Sequence, residues 1–387
     1  MTTDANPVTG SSIDAGPLTD SDLFRARSHF GSLDALRAFA VIAVVWHHTV
    51  EPAAWLPLSG RGFLGVDLFF VLSGFLIVTL LLRERDRTGT ISLKNFYARR
   101  SLRIFPLYYG ILAVMALLVY GTSSHTPTAQ AFRDTVPYYL TYTSNWFGTG
   151  ALLAVSWSLA AEEQFYLVWP PIQRFAGRAI LPILAVLVVL NQLVNFGVLF
   201  ADGQQEREMI QVTFTPILLG VALAHVLHHH HDRVTGVLGG RLAAPVAGVA
   251  VLLVANLPND TTSLVGVHRL TIHVLMVILV ASVVVHEQHG LAPLLMVRPL
   301  ARVGAISYGI YLLHMFVRHV ADQSIGRVGL GEQPLVLFVA TLAGVLVAAE
   351  LSFRFFESPI LRLKRRFASG SDGPTTPGGT EPVLFSR

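Results

Sequence analysis

The side chains of this chain best suited to chemistry are two ionisable groups in its first apolar segment, Leu33 to Val50. Arg37 and His48 stand there with mostly apolar residues between them. An ionisable group at a bilayer centre costs about 2.5–3.5 kcal/mol on insertion scales, and such groups are functional by default. On a helix rising 1.5 Å per residue, the two are roughly 16 Å apart along the axis and share a face. A neutral imidazole in that setting suits a general base. A guanidinium nearer the segment's start suits an anionic substrate arm. A hydrogen-bonded structural histidine is the alternative. His47 is the weaker candidate, because it points about 100° away.

Four further stretches carry polar groups into apolar surroundings. Gly62 to Ile77 opens the second apolar segment with Asp67 one to two turns inside, at a depth like that of His48. A carboxylate there either orients and charge-stabilises the imidazole, as in a hydrolase triad, or is a helix-start acid favoured by the macrodipole. Phe96 to Tyr109 places Arg99, Arg100 and Arg103 at the mouth of the third segment. Guanidinium groups bind phosphates bidentately, although composition alone favours a topology signal or a contact with anionic lipid. Ser156 to Pro170 holds Glu162 and Glu163, and at least one of them requires a partner arginine or a proton. Ser158, Glu162 and Tyr166 share a helix face, which favours Glu162 as the inward carboxylate. Ile306 to His314 adds Tyr308, Tyr311 and His314. Catalysis is therefore expected of His48, Asp67, Glu162 and Glu163, and substrate contact of Ser158, Tyr166, Tyr308 and His314. Glu350 and Arg354 are spaced for a structural ion pair. His225 and His228 to His231 read as a solvated loop, and no metal site is expected.

The elements that must position these groups are transmembrane helices. The chain has 387 residues, 52% hydrophobic and 13% charged, against about 25% charged in a soluble domain. The predicted fold is all-α, a polytopic helix bundle of about ten spans with little else beside them, so a second soluble domain is not expected. The ten apolar segments lie near 35–52, 62–82, 104–121, 153–171, 179–200, 209–227, 242–257, 264–286, 303–321 and 334–356. With the N-terminus inside, twenty lysines and arginines fall in inside connections and six in outside ones. That bias puts both termini in the cytoplasm. Residues 1–30 and 367–387 read as disordered tails around a membrane domain at 31–366. The longest outside connection, 122–152, carries the aromatic and hydroxyl-rich stretch Pro137 to Phe147. It suits either a membrane-interface belt or a polar substrate. Absence of cysteine excludes disulfides, thiolate metal sites and a cysteine acyl-enzyme. The basic balance follows topology, and no nucleic-acid partner is expected. No internal repeat supports an inverted-repeat transporter, the rival class for buried charges.

Taken in order, Arg37-x10-His48, GVDLFFVLSGFLI, FYARRSLRIFPLYY, WSLAAEEQFYLVWP, ISYGIYLLH and FRFFESP resemble the acyltransferase-3 family of polytopic membrane O-acyltransferases. The resemblance covers about residues 30–366. It implies a multi-pass protein of the bacterial inner membrane. It also implies transfer of a short acyl group from cytosolic acyl-CoA to a hydroxyl of a sugar, an envelope glycan or a glycosylated natural product such as a macrolide. Arg37 and His48 would be essential, and Arg99, Arg100 and Arg103 would lie near the CoA end. The residue bias resembles that of a high-GC actinobacterial protein. Many relatives carry an appended soluble hydrolase-like domain, which this chain is expected to lack.

Overall fold

The computed structural model describes residues 21, 24, 25, 27, 29–50, 58–121, 125–147, 153–199, 204–257, 266–327 and 333–367, with the backbone alone for 204–213 and 365. Its main elements are the helices α1 (Gly31–Thr49), α2 (Leu64–Thr88), α3 (Leu93–Gly121), α4 (Pro127–Leu140), α5 (Ser156–Phe175), α6 (Ile180–Asn195), α7 (Gln204–Leu238), α8 (Ala243–Ala255), α9 (Gly266–Val285), α10 (Arg298–Ala305), α11 (Ser307–Arg327) and α12 (Pro334–Ser352). Among the described residues there is no strand. Lipid cannot satisfy backbone N–H and C=O groups, so an apolar chain closes them within helices. The protein is an all-α, polytopic membrane protein.

Five helical stretches are long and apolar enough to cross a bilayer, and up to seven if each of two bent pairs forms one span. Those pairs bend by 86° between α7 and α8 and by 73° between α10 and α11. The sequence expectation of ten segments is higher because it includes α1 and α5 and counts α7 and α8 as separate spans. Helices α1 and α5 carry Asp34, Arg37 and the two histidines, and Glu162, Glu163 and Gln164. Polar groups inside a bundle lower a helix's hydropathy without exposing it to lipid.

Helix α1 occupies the middle of the bundle. It packs against α2, α9, α10, α11 and α12, and Ala35, Ala38 and Ala40 are buried in those contacts. Helices α2 and α7 approach through reciprocal glycines. A Cβ on Gly74 would lie 2.1 Å from the carbonyl oxygen of Ile217, and one on Gly220 2.3 Å from that of Val71. Small residues give membrane helices this close backbone contact.

Three expectations are corrected here. The connection at 122–152 contains α4 and a further turn, Ser144–Phe147. Phe132 and Tyr139 of α4 are buried, and the Gln164 amide donates to Tyr142 O at 2.7 Å and Asn145 Oδ1 at 2.8 Å. His225 and His228 to His231 lie on α7 rather than in a loop, and His225, His228 and His231 are buried. Among the described residues no group of three or more His, Cys, Asp or Glu is placed to hold a metal. Order also begins before residue 31. Phe24 is buried, and Arg83 donates to the carbonyls of Phe24 at 2.7 Å and Arg27 at 2.6 Å. The rest of the two expected tails, 1–20, 22, 23, 26, 28 and 368–387, lies outside the described residues. The expected Glu350–Arg354 pair forms at 2.5 Å, and Arg302 joins it with two bonds of 2.8 Å to Glu350.

Candidate active site

His48 sits in the last turn of α1, and its ring meets that of His314 on α11. The His48 Nδ1 atom is 2.9 Å from Val44 O, one turn back on its own helix. A carbonyl only accepts, so this nitrogen carries the proton. The same reasoning applies to His314, whose Nδ1 lies 2.6 Å from Tyr311 O. A neutral His314 therefore presents an unprotonated Nε2, and that atom lies 3.3 Å from His48 Nδ1. The His48 N–H is shared between Val44 O and His314 Nε2, a three-centre arrangement. Its Nε2 is then left as a lone pair with no hydrogen-bond partner among the described residues. The backbone has fixed the tautomer that a general base needs.

A file of polar side chains runs from this pair into the bundle. The Tyr311 hydroxyl is 2.6 Å from Ser158 Oγ, and both are buried. One turn further along α5 stands Glu162. Its Oε1 accepts from the hydroxyls of Ser73 and Tyr166 and from Arg100 Nη2 at 3.2 Å. Arg100 Nε is 3.7 Å from Glu163 Oε1, and the guanidinium carbon lies 3.6 Å from the centroid of the Tyr166 ring. Two carboxylates and an aromatic face thus compensate one arginine. Glu162, the carboxylate favoured by periodicity, is the one that takes the hydroxyl donors.

The far end of the file is cationic. Arg37 Nη1 makes a 3.4 Å contact with Asp34 one turn before it. Arg99 pairs with Glu84 at 3.3 Å and donates to Phe367 O at 2.7 Å. Arg103 is half-buried, lies in the field of Arg37 and Arg100, and has no ion-pair or hydrogen-bond partner among the described residues.

The structure thus gathers His48, His314, Ser158, Glu162, Glu163, Tyr166, Arg37, Arg100 and Arg103 along one line. Tyr308 stands beside it with its hydroxyl donating to Ile104 O at 2.8 Å. His314, expected to touch substrate, is fully buried, and its Nε2 lies 3.3 Å from His48 Nδ1. His314→Ala should lower kcat about ten- to a hundredfold with KM for the donor within about twofold, since one hydrogen bond to a charged group is worth about 1.5–3 kcal/mol. His314→Gln, whose side-chain oxygen can accept in place of Nε2, should restore most of the rate. Equal loss in both variants would reduce His314 to a packing role.

Asp67 is corrected. It does not support His48. It is fully buried with Oδ2 2.6 Å from Arg269 Nη2 and 3.0 Å from His273 Nε2. A buried carboxylate pairs with a full cation in preference to a neutral ring, and Phe63 lies under that cation at 4.7 Å. Sequence reasoning missed Arg269, His273 and Ser73 as members of buried polar clusters. Arg269 and His273 are one turn apart inside an apolar segment, the kind of signal that Arg37 and His48 gave.

With the geometry in place, comparison with known proteins gives a family. The chain is 30% identical over 360 residues to the peptidoglycan O-acetyltransferase OatA of Listeria monocytogenes, covering 87% of this chain and 56% of that protein. It is 31% identical over 359 residues to the O-acetyltransferase OatA of Staphylococcus aureus, covering 85% and 56%. It is 33% identical over 356 residues to the putative peptidoglycan O-acetyltransferase YrhL of Bacillus subtilis, covering 85% and 54%. The chain therefore spans little more than half the length of these relatives. No solved structure matches it significantly. Residues 30–352 match the acyltransferase domain model of the acyltransferase-3 family, and across those residues run the polar file and both its ends: the chain belongs to that family.

Proposed function

We propose that this protein is an O-acetyltransferase of the bacterial plasma membrane, taking acetyl from cytosolic acetyl-CoA and delivering it to a hydroxyl of a cell-envelope glycan. The observation that carries this reading is the unpartnered Nε2 of His48 at one end of a polar file whose other end is a cluster of arginines. Acetyl and peptidoglycan come from the names of the relatives, which favour a wall glycan over a macrolide as acceptor.

The cations suit a CoA donor. At the cationic end of the file Arg37 has a 3.4 Å contact with Asp34 and Arg103 has no ion-pair partner among the described residues, and guanidinium is matched to phosphate oxygens. They would hold the diphosphate end at the cytoplasmic face. His48 takes the proton of the acceptor hydroxyl on Nε2 as that oxygen attacks the thioester carbonyl carbon. The C–O bond forms, the C–S bond breaks, and the same nitrogen returns its proton to the departing thiolate. His314, accepting from Nδ1, stabilises the imidazolium between the two transfers. An acyl-histidine formed on His48 is the mechanistic variant. Trapping labelled enzyme without acceptor distinguishes the two, since direct transfer leaves no label on the protein.

The test is acetyl transfer by the purified protein in lipid nanodiscs, with labelled acetyl-CoA and soluble peptidoglycan fragments. Ester formation matched by CoA release is expected. Solute movement in proteoliposomes without thioester consumption would make the protein a transporter and overturn the proposal. In the same assay Arg37→Ala should raise KM for acetyl-CoA about tenfold, with kcat within about twofold. An unchanged KM would remove Arg37 from the donor site.

A further inference from the structure

Beyond His48, on the side away from the arginine cluster, stands a cation that the acyl transfer leaves unused. Gly304, just before α11, sits against the backbone of Asp34 in the first turn of α1, and His314 meets His48 in its last turn. The two helices therefore run the same way. Helix α1 ends at Thr49, one residue past His48, whereas α11 continues from His314 to Arg327. The first turn of that overhang brings Arg318. Residues four apart on a helix share a face, so Arg318 stands about 6 Å along the axis beyond His314, on the face turned to His48. Its neighbour Val317 points elsewhere, toward α12, where a Cβ on Gly344 would lie 2.8 Å from Val317 Cγ1.

Arg318 is half-buried, and its Nε is buried without a hydrogen-bond partner. Among the described residues no carboxylate lies within 4 Å of its guanidinium and no acceptor bonds to it. Arg269 and Arg100 differ, being held by Asp67 at 2.6 Å and Glu162 at 3.2 Å. A guanidinium withdrawn from water without a counter-charge costs free energy, and such a residue inside a membrane bundle marks a site. The anion it awaits is either the developing oxyanion of the thioester or a group on the acceptor. Position decides between them. The donor comes to His48 from the Arg37 end of α1, and Arg318 lies past the other end, where the acceptor enters. A guanidinium fork there matches a carboxylate in a bidentate pair.

We propose that Arg318 selects the acceptor by binding a carboxylate on the sugar whose hydroxyl His48 deprotonates, so that the acceptor is an acidic glycan. The proposal rests on the transferase reading of the His48 site. An ion pair one helical turn from His48 Nε2 holds the sugar at a second point. Two fixed points turn one hydroxyl of several toward the base. Arg318 moves no proton and touches no part of the donor.

The experiment uses the full chain in nanodiscs with labelled acetyl-CoA and two acceptors. One is soluble peptidoglycan strands stripped of peptide, whose lactyl carboxylates are free. The other is the same strands with those carboxylates converted to methyl amides. In the wild type the acceptor KM should be about tenfold higher for the amide, or about 1.4 kcal/mol. Arg318→Gln should raise KM for the acid strands to the amide value, with kcat and KM for acetyl-CoA within about twofold. Arg318→Lys, which keeps the charge, should recover most of the preference. Equal acceptor KM values in the wild type overturn the proposal without requiring any variant to fold, and leave the transferase reading standing. A fall in kcat on both acceptors in Arg318→Gln, at unchanged acceptor KM, assigns the guanidinium to the reacting carbonyl and also overturns it. Ester formation by the wild type on neither acceptor removes the transferase reading for these glycans and this assignment with it.

Discussion

Replacing His48 by alanine should cut acetyl transfer by about 10²–10⁴-fold, the range a positioned general base supplies. The protein should still fold and insert. His48 is half-buried at the end of α1, among the described residues its ring bonds only to its own helix and to His314, and alanine is a better helix former. The loss should fall on kcat, because in the proposed mechanism the imidazole acts on the acceptor proton and the donor's phosphates would meet Arg37, some 16 Å away along α1. The double variant His48→Ala with His314→Ala gives a sharper result. If His314 works only by presenting an acceptor to His48, the double variant should be no slower than His48→Ala alone. Residues that act as a unit are non-additive in this way. An independent tenfold loss would give His314 a separate role, and near-wild-type transfer by His48→Ala would end the mechanism.

The fold was largely legible because lipid leaves few choices. Apolar stretches of sufficient length must be helices, and their order follows the chain. Harder to read was which helices face one another, since hydropathy carries no contact information. Arg37, His48 and Glu162 announced themselves as polar groups in apolar segments. Periodicity placed Ser158, Glu162 and Tyr166 on one face, and the structure agrees, with the Tyr166 hydroxyl donating to Glu162. Ser73 passed unnoticed because a serine can satisfy its hydroxyl on its own helix; only the packing of α2 against α5 shows that it turns to Glu162 instead. The same blindness misassigned Asp67. Its depth matched that of His48, but depth fixes one coordinate, and the carboxylate faces α9. His314 showed the converse, a residue on the right face whose partner lay 266 positions away.

Asp67 gives the second large effect, and it is one of stability. Asp67→Ala should destabilise the protein by about 3–5 kcal/mol, the cost of leaving a buried charge without its partner. Arg269 is 1% exposed and has Asp67 as its only carboxylate within 4 Å among the described residues. His273 cannot take over, because a neutral ring offers no compensating charge. Thermal unfolding in detergent should register the loss. The fraction that remains folded should keep its KM and most of its kcat, because the cluster touches neither His48 nor the arginines of α3. A carboxylate that oriented His48 would give the reverse pattern, a large fall in kcat at unchanged stability, and that outcome would reinstate Asp67 in the site. A further variant separates charge from packing. Changing Asp67 to Leu together with Arg269→Met and His273→Leu removes every member of the cluster at similar volume. Apolar replacement of a complete buried ion cluster is often neutral or stabilising, so the triple variant should be more stable than Asp67→Ala although it departs further from the native sequence. If it were less stable, the cluster would be holding α2 to α9 by its geometry as well as by neutralising a charge.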